Sequence, residues 1–322
     1  MGELFALLSS MLFAFSGVLA KRGTGSGSGD NGTFVSLLQT FLICGLIFIY
    51  IYHYWGPIPI TKKGIMWLVM GGILSSFLGR FYQYASVQRL GSVRAMGVKN
   101  LTPIFSVSLG VLLLGESLTI TFMIGIFFIF TGLYMMVRQS LNINRGSEPA
   151  AAKTEGKVTL GSMIREKTKH LSFNRRVLLN NGYTFGAVSA FSYSLGLVVR
   201  KMGLNEIADP FFGATVGGLV GIFIYFGLAC FKNQYRMAIK TTFTQFNGFL
   251  LLSGFSITAG QVFNFMAVSY TDVSRAGLLF TTQSIFAIIL SRWFVKTNEH
   301  ITWYTLLTIG VMITGTVIIV LE

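Results

Sequence analysis

Two stretches decide the fold when one is laid over the other: ALLSSMLFAFSGVLAKRG (residues 6–23) and GAVSAFSYSLGLVVRKMG (186–203). A shift of 180 places Ser9 over Ser189, Lys21 over Lys201 and Gly23 over Gly203. A shift of 181 carries Gly79 onto Gly260, Arg94-Ala95 onto Arg275-Ala276 and Ile104-Phe105 onto Ile285-Phe286. A shift of 183 carries Glu116 onto Glu299 and Thr131-Gly132 onto Thr314-Gly315. An offset stable to within three residues across half the chain marks an internal duplication.

The duplicated unit is membrane-embedded. The 322 residues are 52% hydrophobic and 11% charged, with a mean hydropathy of +0.66; soluble domains carry about 25% charged residues. Runs such as 101–114 and 304–321 are nearly charge-free. About 20 such residues cross roughly 30 Å of hydrocarbon as a helix. Barrel strands alternate over about ten residues, whereas these segments are apolar all round. Residues 4–20 lack a preceding basic region and are followed by Lys21-Arg22, so they read as a first span and not as a cleaved signal.

Ten spans are expected: 4–20, 33–54, 65–88, 93–114, 118–137, 178–199, 211–231, 247–270, 274–295 and 302–321. Trp55, Trp67, Trp293 and Trp303 fall near their ends, where aromatic belts sit. GTGSGSGD (23–30) is a flexible turn. Residues 1–137 form the first five-helix repeat and 178–322 the second. The segment 138–177 between them is a polar, basic linker, with a short interfacial helix expected near 160–170. Five spans per half is an odd number, so the second half enters from the opposite side. The expected fold is an all-α membrane protein with ten transmembrane helices, arranged as two inverted five-helix repeats around a central cavity.

This pattern resembles a known family. The duplicated five-span halves, the fourth-span run LTPIFSVSLGVLLLGE (101–116) and the tenth-span Thr314-Gly315 are similar to the EamA branch of the drug/metabolite transporter superfamily. The resemblance covers the chain apart from the linker. It implies a basket of ten helices and movement of small metabolites, amino acids among them. The second half departs at Ser284, which stands opposite Pro103. The multidrug branch carries a glutamate inside its first span; here only Glu3 stands at the tip.

The polar groups inside the spans point to the chemistry. No Asp or Glu falls within a span, which disfavours a proton relay built on an intramembrane carboxylate. Two cations do fall inside. Arg80 is eight residues from the span end near Gln88, about 12 Å by helical rise; Lys99 is five residues past Arg94, about 7 Å by the same rise. An unpaired cation facing lipid costs at least roughly 2.5–3.5 kcal/mol, so both are expected to face the protein interior. Ser76, Arg80, Gln83, Tyr84 and Val87 recur at helical spacing. The duplication sets Gln261, Asn264 and Phe265 opposite Arg80, Gln83 and Tyr84. Phe280 and Gln283 in the ninth span, Ser16 in the first and Tyr193 in the sixth complete the candidate substrate site. The same uncharged polar residues also serve as interhelical contacts, and Arg80 also suits a strut tied to carbonyls.

A cationic cavity without carboxylates favours a ligand that brings its own negative group, and a guanidinium pairs a carboxylate or phosphate bidentately. The expected function is a secondary transporter of an amino acid or other carboxylate-bearing anion or zwitterion. A phosphorylated-metabolite or nucleotide-sugar exchanger and a non-transporting receptor or scaffold stand as alternatives. An enzyme would want paired carboxylates, a metal cluster or a nucleophile with its base, and none is visible. No metal or cofactor is expected: Cys44 and Cys230 lie in apolar runs, and His53, His170 and His300 are scattered.

The net charge of +14 fits loops that face an anionic leaflet. Lys21, Arg22, Arg89, Arg94, Lys232, Arg236, Lys240, Arg292, Lys296 and nine linker residues fall on one side; Lys62, Lys63, Arg200, Lys201 and Arg275 fall on the other. The positive-inside rule then puts the linker in the cytoplasm and both termini outside, whereas the resemblance implies termini inside. The expected location is the cell (inner) membrane of a bacterium, multi-pass. The expected partners are a small-molecule substrate and membrane lipid, with no nucleic acid, in a monomer or weak homodimer.

Overall fold

The computed structural model describes residues 1–23, 32–56, 58–83, 86, 98–99, 101–146, 181–244, 247–295 and 303–321. Tyr84 and the linker, with its expected interfacial helix near 160–170, lie outside them. The described residues are helical throughout their ordered elements, with no strand among them. Helix α1 spans Gly2–Gly23, α2 Thr33–Trp55 and α3 Lys62–Gly71. A π-helical stretch, Gly72–Gly79, continues α3 as far as Gln83. Then follow α4 Thr102–Leu114, α5 Ile120–Gly146, α6 Asn181–Glu206 and α7 Pro210–Phe231. Next come α8 Asn233–Thr244, α9 Gly248–Tyr270 and α10 Val273–Leu279. A 3₁₀ turn Phe280–Thr282 separates α10 from α11 Gln283–Val295, and α12 is Trp303–Leu321.

Among the described residues, six helical segments are long and apolar enough to cross a membrane: Gly2–Leu19, Thr33–Trp55, Lys62–Gln83, Gly182–Glu206, Pro210–Phe231 and Gly248–Tyr270. Thr102–Leu114, Ile120–Gly132 and Leu307–Leu321 are shorter apolar helices. The stretch expected as one ninth span is broken at Phe280–Thr282. Local chemistry sets the helix ends. Asp209 accepts from the Phe212 amide at 2.6 Å, and Pro210 follows at the first helical position. Asn247 caps α9 through the amides of Phe249 and Leu250. Gly115, at φ 67°, takes the left-handed conformation that ends α4.

Long-range packing joins the first half of the chain to the second. α1 packs on α9, α3 on α6, α2 on α7 and α5 on α12. Along α3 the neighbours on α6 run backwards: Gly64 meets Ile207, Leu68 meets Gly203, Ser75 meets Gly196 and Gly79 meets Tyr193. The two helices are therefore antiparallel and very close. A Cβ on Gly196 would lie 2.8 Å from the Ser75 Cβ, so only glycine permits the approach. Two buried serines mirror one another: Ser9 donates to the Gly260 carbonyl at 2.9 Å, and Ser189 donates to the Gly79 carbonyl at 2.7 Å.

One end of the bundle collects Gly2, Glu3, Thr271, Val273, Glu116 and Ile319 beside Gly125. Both Met1 and Leu321 thus lie toward this terminal face. Glu3 accepts from the Thr271 hydroxyl at 2.9 Å. Lys201 donates to the carbonyls of Val268, Ser269 and Thr271, closing the C-terminal end of α9. Glu116 accepts from the amides of Val273 and Ser274 and from the Ser274 hydroxyl, capping α10.

Candidate functional site

The middle of the α3–α6 contact holds a residue that the sequence pattern assigns to a loop. Arg200 lies level with Gly71 and Ser75, well inside the Lys62–Gln83 span, and is 4% exposed. Its Nη1 donates to Gln261 Oε1 at 3.3 Å and to Asn264 Oδ1 at 3.1 Å; its Nη2 donates to Ser75 Oγ at 2.5 Å. The guanidinium carbon stands 4.6 Å from the Phe265 ring centroid. Its Nε is buried with no hydrogen-bond partner among the described residues. A full positive charge is thus held by neutral oxygens and one aromatic face. The count that placed Arg200 in a loop facing water is corrected: α6 runs on to Glu206 and carries Arg200 inward.

Two further cations approach this centre. Arg80 follows the π-helical stretch, is half-buried, and donates from Nη1 to Ser36 Oγ at 3.2 Å. Lys99, also half-buried, sets its Nζ 5.5 Å from the Tyr193 ring centroid. Tyr193 links them: its ring touches Gly79, the residue before Arg80, and lies under Lys99, and Arg200 follows Tyr193 by seven residues on α6, about 10 Å by helical rise. The described ion pairs are Met1–Glu3, Lys63–Glu206 and Arg275–Asp272. None involves Arg80, Lys99 or Arg200. All five described carboxylates, Glu3, Glu116, Glu206, Asp209 and Asp272, lie at span ends on the terminal face. The cluster therefore carries net positive charge among the described residues.

The other candidates sort by position. Gln261, Asn264 and Phe265 are buried around Arg200. Tyr193 packs its ring against Gly79 and under Lys99. Gln83 accepts from Ser189 at 3.3 Å at the far end of the same interface. Phe280 is partly buried in apolar packing at the 3₁₀ turn, and Gln283 opens α11 half-buried. Ser16 is a helix contact: its carbonyl accepts from Ser253 at 2.9 Å, at the α1–α9 boundary. Tyr84 lies outside the described residues. Ser75 and Arg200 are not among the candidates that the sequence offers, and the structure joins them through the Arg200 Nη2. The signal for Arg200 was the buried amide pair Gln261 and Asn264, which needs a donor. A shallow apolar groove along α5, lined by Met123, Phe127, Phe130 and Tyr134 among others, is separate from this cluster.

The EamA-like transporter family matches residues 1–138 and 180–321. A relative from Clostridium kluyveri named an uncharacterized transporter is 31% identical over 143 residues, covering 44% of this chain. The alignment spans 45% of that relative's own length, a little under half. A solved crystal structure of a protein matches 99% of this chain and 98% of its own with a TM-score of 0.63 at 14% identity, a likeness of fold alone. The chain is a multi-pass integral membrane protein, and the bacterial relative indicates the cell membrane.

Proposed function

Because the chain belongs to the EamA-like transporter family, we propose that it is a secondary transporter moving a small carboxylate-bearing metabolite across the membrane by alternating access. One observation carries the substrate class: Arg80, Lys99 and Arg200 are set around Tyr193 and the α3–α6 contact without a carboxylate partner among the described residues. Like charges brought together in a low-dielectric interior repel one another. A ligand carboxylate relieves that repulsion as it enters. A cationic ligand adds to it.

The three cations divide the work. The Arg200 fork is already occupied by Ser75, Gln261 and Asn264, so it sets the potential without touching the ligand. Arg80 makes one described bond, to a serine, and keeps further guanidinium donors for a carboxylate. Lys99 lies over Tyr193, whose ring offers apolar surface for the rest of the ligand. An amino acid is the first ligand class on this reading, other carboxylates the second and phosphorylated metabolites the third.

The reading of ten spans as two inverted repeats gives this site its movement. It is supported by the reciprocal bonds of Ser9 to Gly260 and Ser189 to Gly79, residues that the duplication makes equivalent. The cluster lies where halves meet, the usual place for a transporter site. The described carboxylates lie at span ends, so transport runs as facilitated diffusion or exchange, or couples protons through the substrate itself.

Counterflow in proteoliposomes tests the proposal. Amino acids, dicarboxylates, sugar phosphates and organic cations compete against one labelled substrate, with Arg80→Lys and Arg80→Gln beside the parent. Anion and zwitterion uptake is expected to fall for both variants, further for Gln, while both stay monodisperse in detergent. Parent-level uptake by the Gln variant, or transport confined to cations, overturns it.

A further inference from the structure

Helix α8 has two faces with opposite chemistry. Tyr235, Ala238, Ile239 and Thr242 repeat at helical spacing and turn inward. The first three join a core formed by Phe34, Leu37, Ile222 and Tyr225. Arg236, Met237, Lys240 and Phe243 turn outward and are exposed, Met237 at 56% and Phe243 at 71%. Just ahead of α8, Lys232 is exposed and Phe231 is 88% exposed. Lys232, Arg236 and Lys240 therefore recur every four residues with large apolar side chains among them.

The surroundings give this stripe its meaning. It lies where α7 ends and α9 begins, beside Phe34 at the start of α2. That is the bundle end opposite the terminal face, and every described carboxylate sits on the terminal face. The three cations have no carboxylate partner among the described residues. Helix α8 follows a membrane-spanning helix directly, so its level is the boundary between headgroups and acyl chains. At that level exposed Phe and Met side chains enter the acyl boundary, while Lys and Arg stems reach up to the headgroups.

We propose that Lys232, Arg236 and Lys240 form a binding site for the phosphate headgroups of anionic phospholipid, with α8 lying along the bilayer surface. The charge of the stripe selects the lipid: an anionic headgroup completes a row of cations that a zwitterionic one leaves uncompensated. The site is separate from the substrate cluster and does not depend on the transport reading. The first half has HYWGPIPITKK (53–63) at the corresponding connection, so the device belongs to the second half alone.

The test uses the full chain purified in a mild detergent and challenged with phosphatidylglycerol, phosphatidylcholine or inorganic phosphate. Lipid retention by intact-protein mass spectrometry and the shift in melting temperature are both read. The parent is expected to retain phosphatidylglycerol over phosphatidylcholine and to be stabilised by it, with inorganic phosphate ineffective. Each of Lys232→Gln, Arg236→Gln and Lys240→Gln is expected to lose about fivefold of that preference, and the triple variant to lose nearly all of it. The single variants decide the matter if the triple one fails to fold. Undiminished preference in all three singles overturns the site. Equal retention of phosphatidylcholine, or an equal shift with inorganic phosphate, overturns its assignment to anionic lipid.

Discussion

Arg200 of α6 donates to the side-chain oxygen of Gln261 on α9 at 3.3 Å. Gln261 is the residue that the duplication sets opposite Arg80. The two halves are therefore complementary at this level and not identical. One contributes a half-buried guanidinium; the other contributes an amide that receives a guanidinium from elsewhere in the same half. Ala20 stands opposite Arg200 in the first half, so that bond has no mirror image.

Replacing Arg200 follows from this geometry. Arg200→Gln removes the charge and leaves Ser75, Gln261 and Asn264 short of donors, at a cost of about 1–3 kcal/mol. On the proposed reading it also removes a positive charge that acts on the ligand at a distance, worth about 1 kcal/mol at an effective dielectric of 20. The expected outcome is a lower melting temperature together with a several-fold higher KM for an anionic substrate. Thermal unfolding in detergent and initial-rate uptake check the two effects separately. An unchanged KM in folded variant protein removes Arg200 from the electrostatic argument.

The all-helical membrane character is legible in the sequence, and Arg200 and Ser75 are not. The offset repeat paired Ser9 with Ser189 and Gly79 with Gly260, and these four residues make the reciprocal bonds of the structure. Arg200 escaped because Arg-Lys after an apolar run has the appearance of a span end. Lys201 does serve as one, on the carbonyls of Val268, Ser269 and Thr271. Arg200, about 100° further round the helix, turns inward instead. Ser75 escaped for a different reason. The stripe through Ser76 and Arg80 assumed α-helical spacing, and Gly72–Gly79 is π-helical, which rotates the register by the time it reaches Arg80. Ser75 consequently faces Arg200, and Ser76 faces Gly217.

The mirrored serines allow a balanced measurement. Ser9→Ala removes one buried interhelical bond, and Ser189→Ala removes its bond to Gly79 together with the longer contact to Gln83, each bond worth about 0.6 kcal/mol in membrane proteins. The sites belong to different helix pairs, so the double variant is expected to lose the sum. Reversible unfolding in mixed detergent micelles reads all three. A loss at one serine with none at the other argues against equivalence of the two interfaces.

Glu116 ties the end of α4 to the start of α10 through two backbone amides and a hydroxyl. A carboxylate at a helix N-terminus gains from the helix dipole and from charge-assisted bonds. Glu116→Gln keeps one acceptor and loses the charge; about 1–2 kcal/mol of stability is expected to go with it. Amide hydrogen exchange is expected to accelerate at Val273 and Ser274 first. Unaltered protection there would show that the cap is dispensable.

Asp209 gives a pH dependence with a definite sign. Burial raises its carboxyl above the ordinary range, opposed by the amides of Phe212 and Phe211. The folded chain therefore holds this proton to higher pH than the unfolded chain does. Stability from that proton is complete below the unfolded value, about 3.9, and is lost as pH rises through the folded one. Asp209→Asn retains a good N-cap and removes the cost of the buried charge. The variant is expected to match or exceed the parent at neutral pH, with the advantage vanishing in acid. Melting curves across the acidic range decide it, and a less stable Asn variant at neutral pH reverses the sign.

Orientation follows from the uneven distribution of charge. The described carboxylates Glu3, Glu116, Glu206, Asp209 and Asp272 share the terminal face, and Lys63 there is paired with Glu206 at 2.8 Å. Lys201 is held on helix carbonyls, and Arg200 is inside. Both corrections lower the basic count at the terminal face. The opposite end keeps Lys232, Arg236 and Lys240 exposed. The positive-inside rule counts Lys and Arg in short loops, so the difference grows and a cytoplasmic linker end is the expected orientation. Reporters fused ahead of Met1 and after Glu322 are expected to signal outside the cytoplasm, and one inserted in the linker to signal inside. A purely cytoplasmic signal from both terminal fusions would invert the molecule and leave the α8 stripe on the outer leaflet.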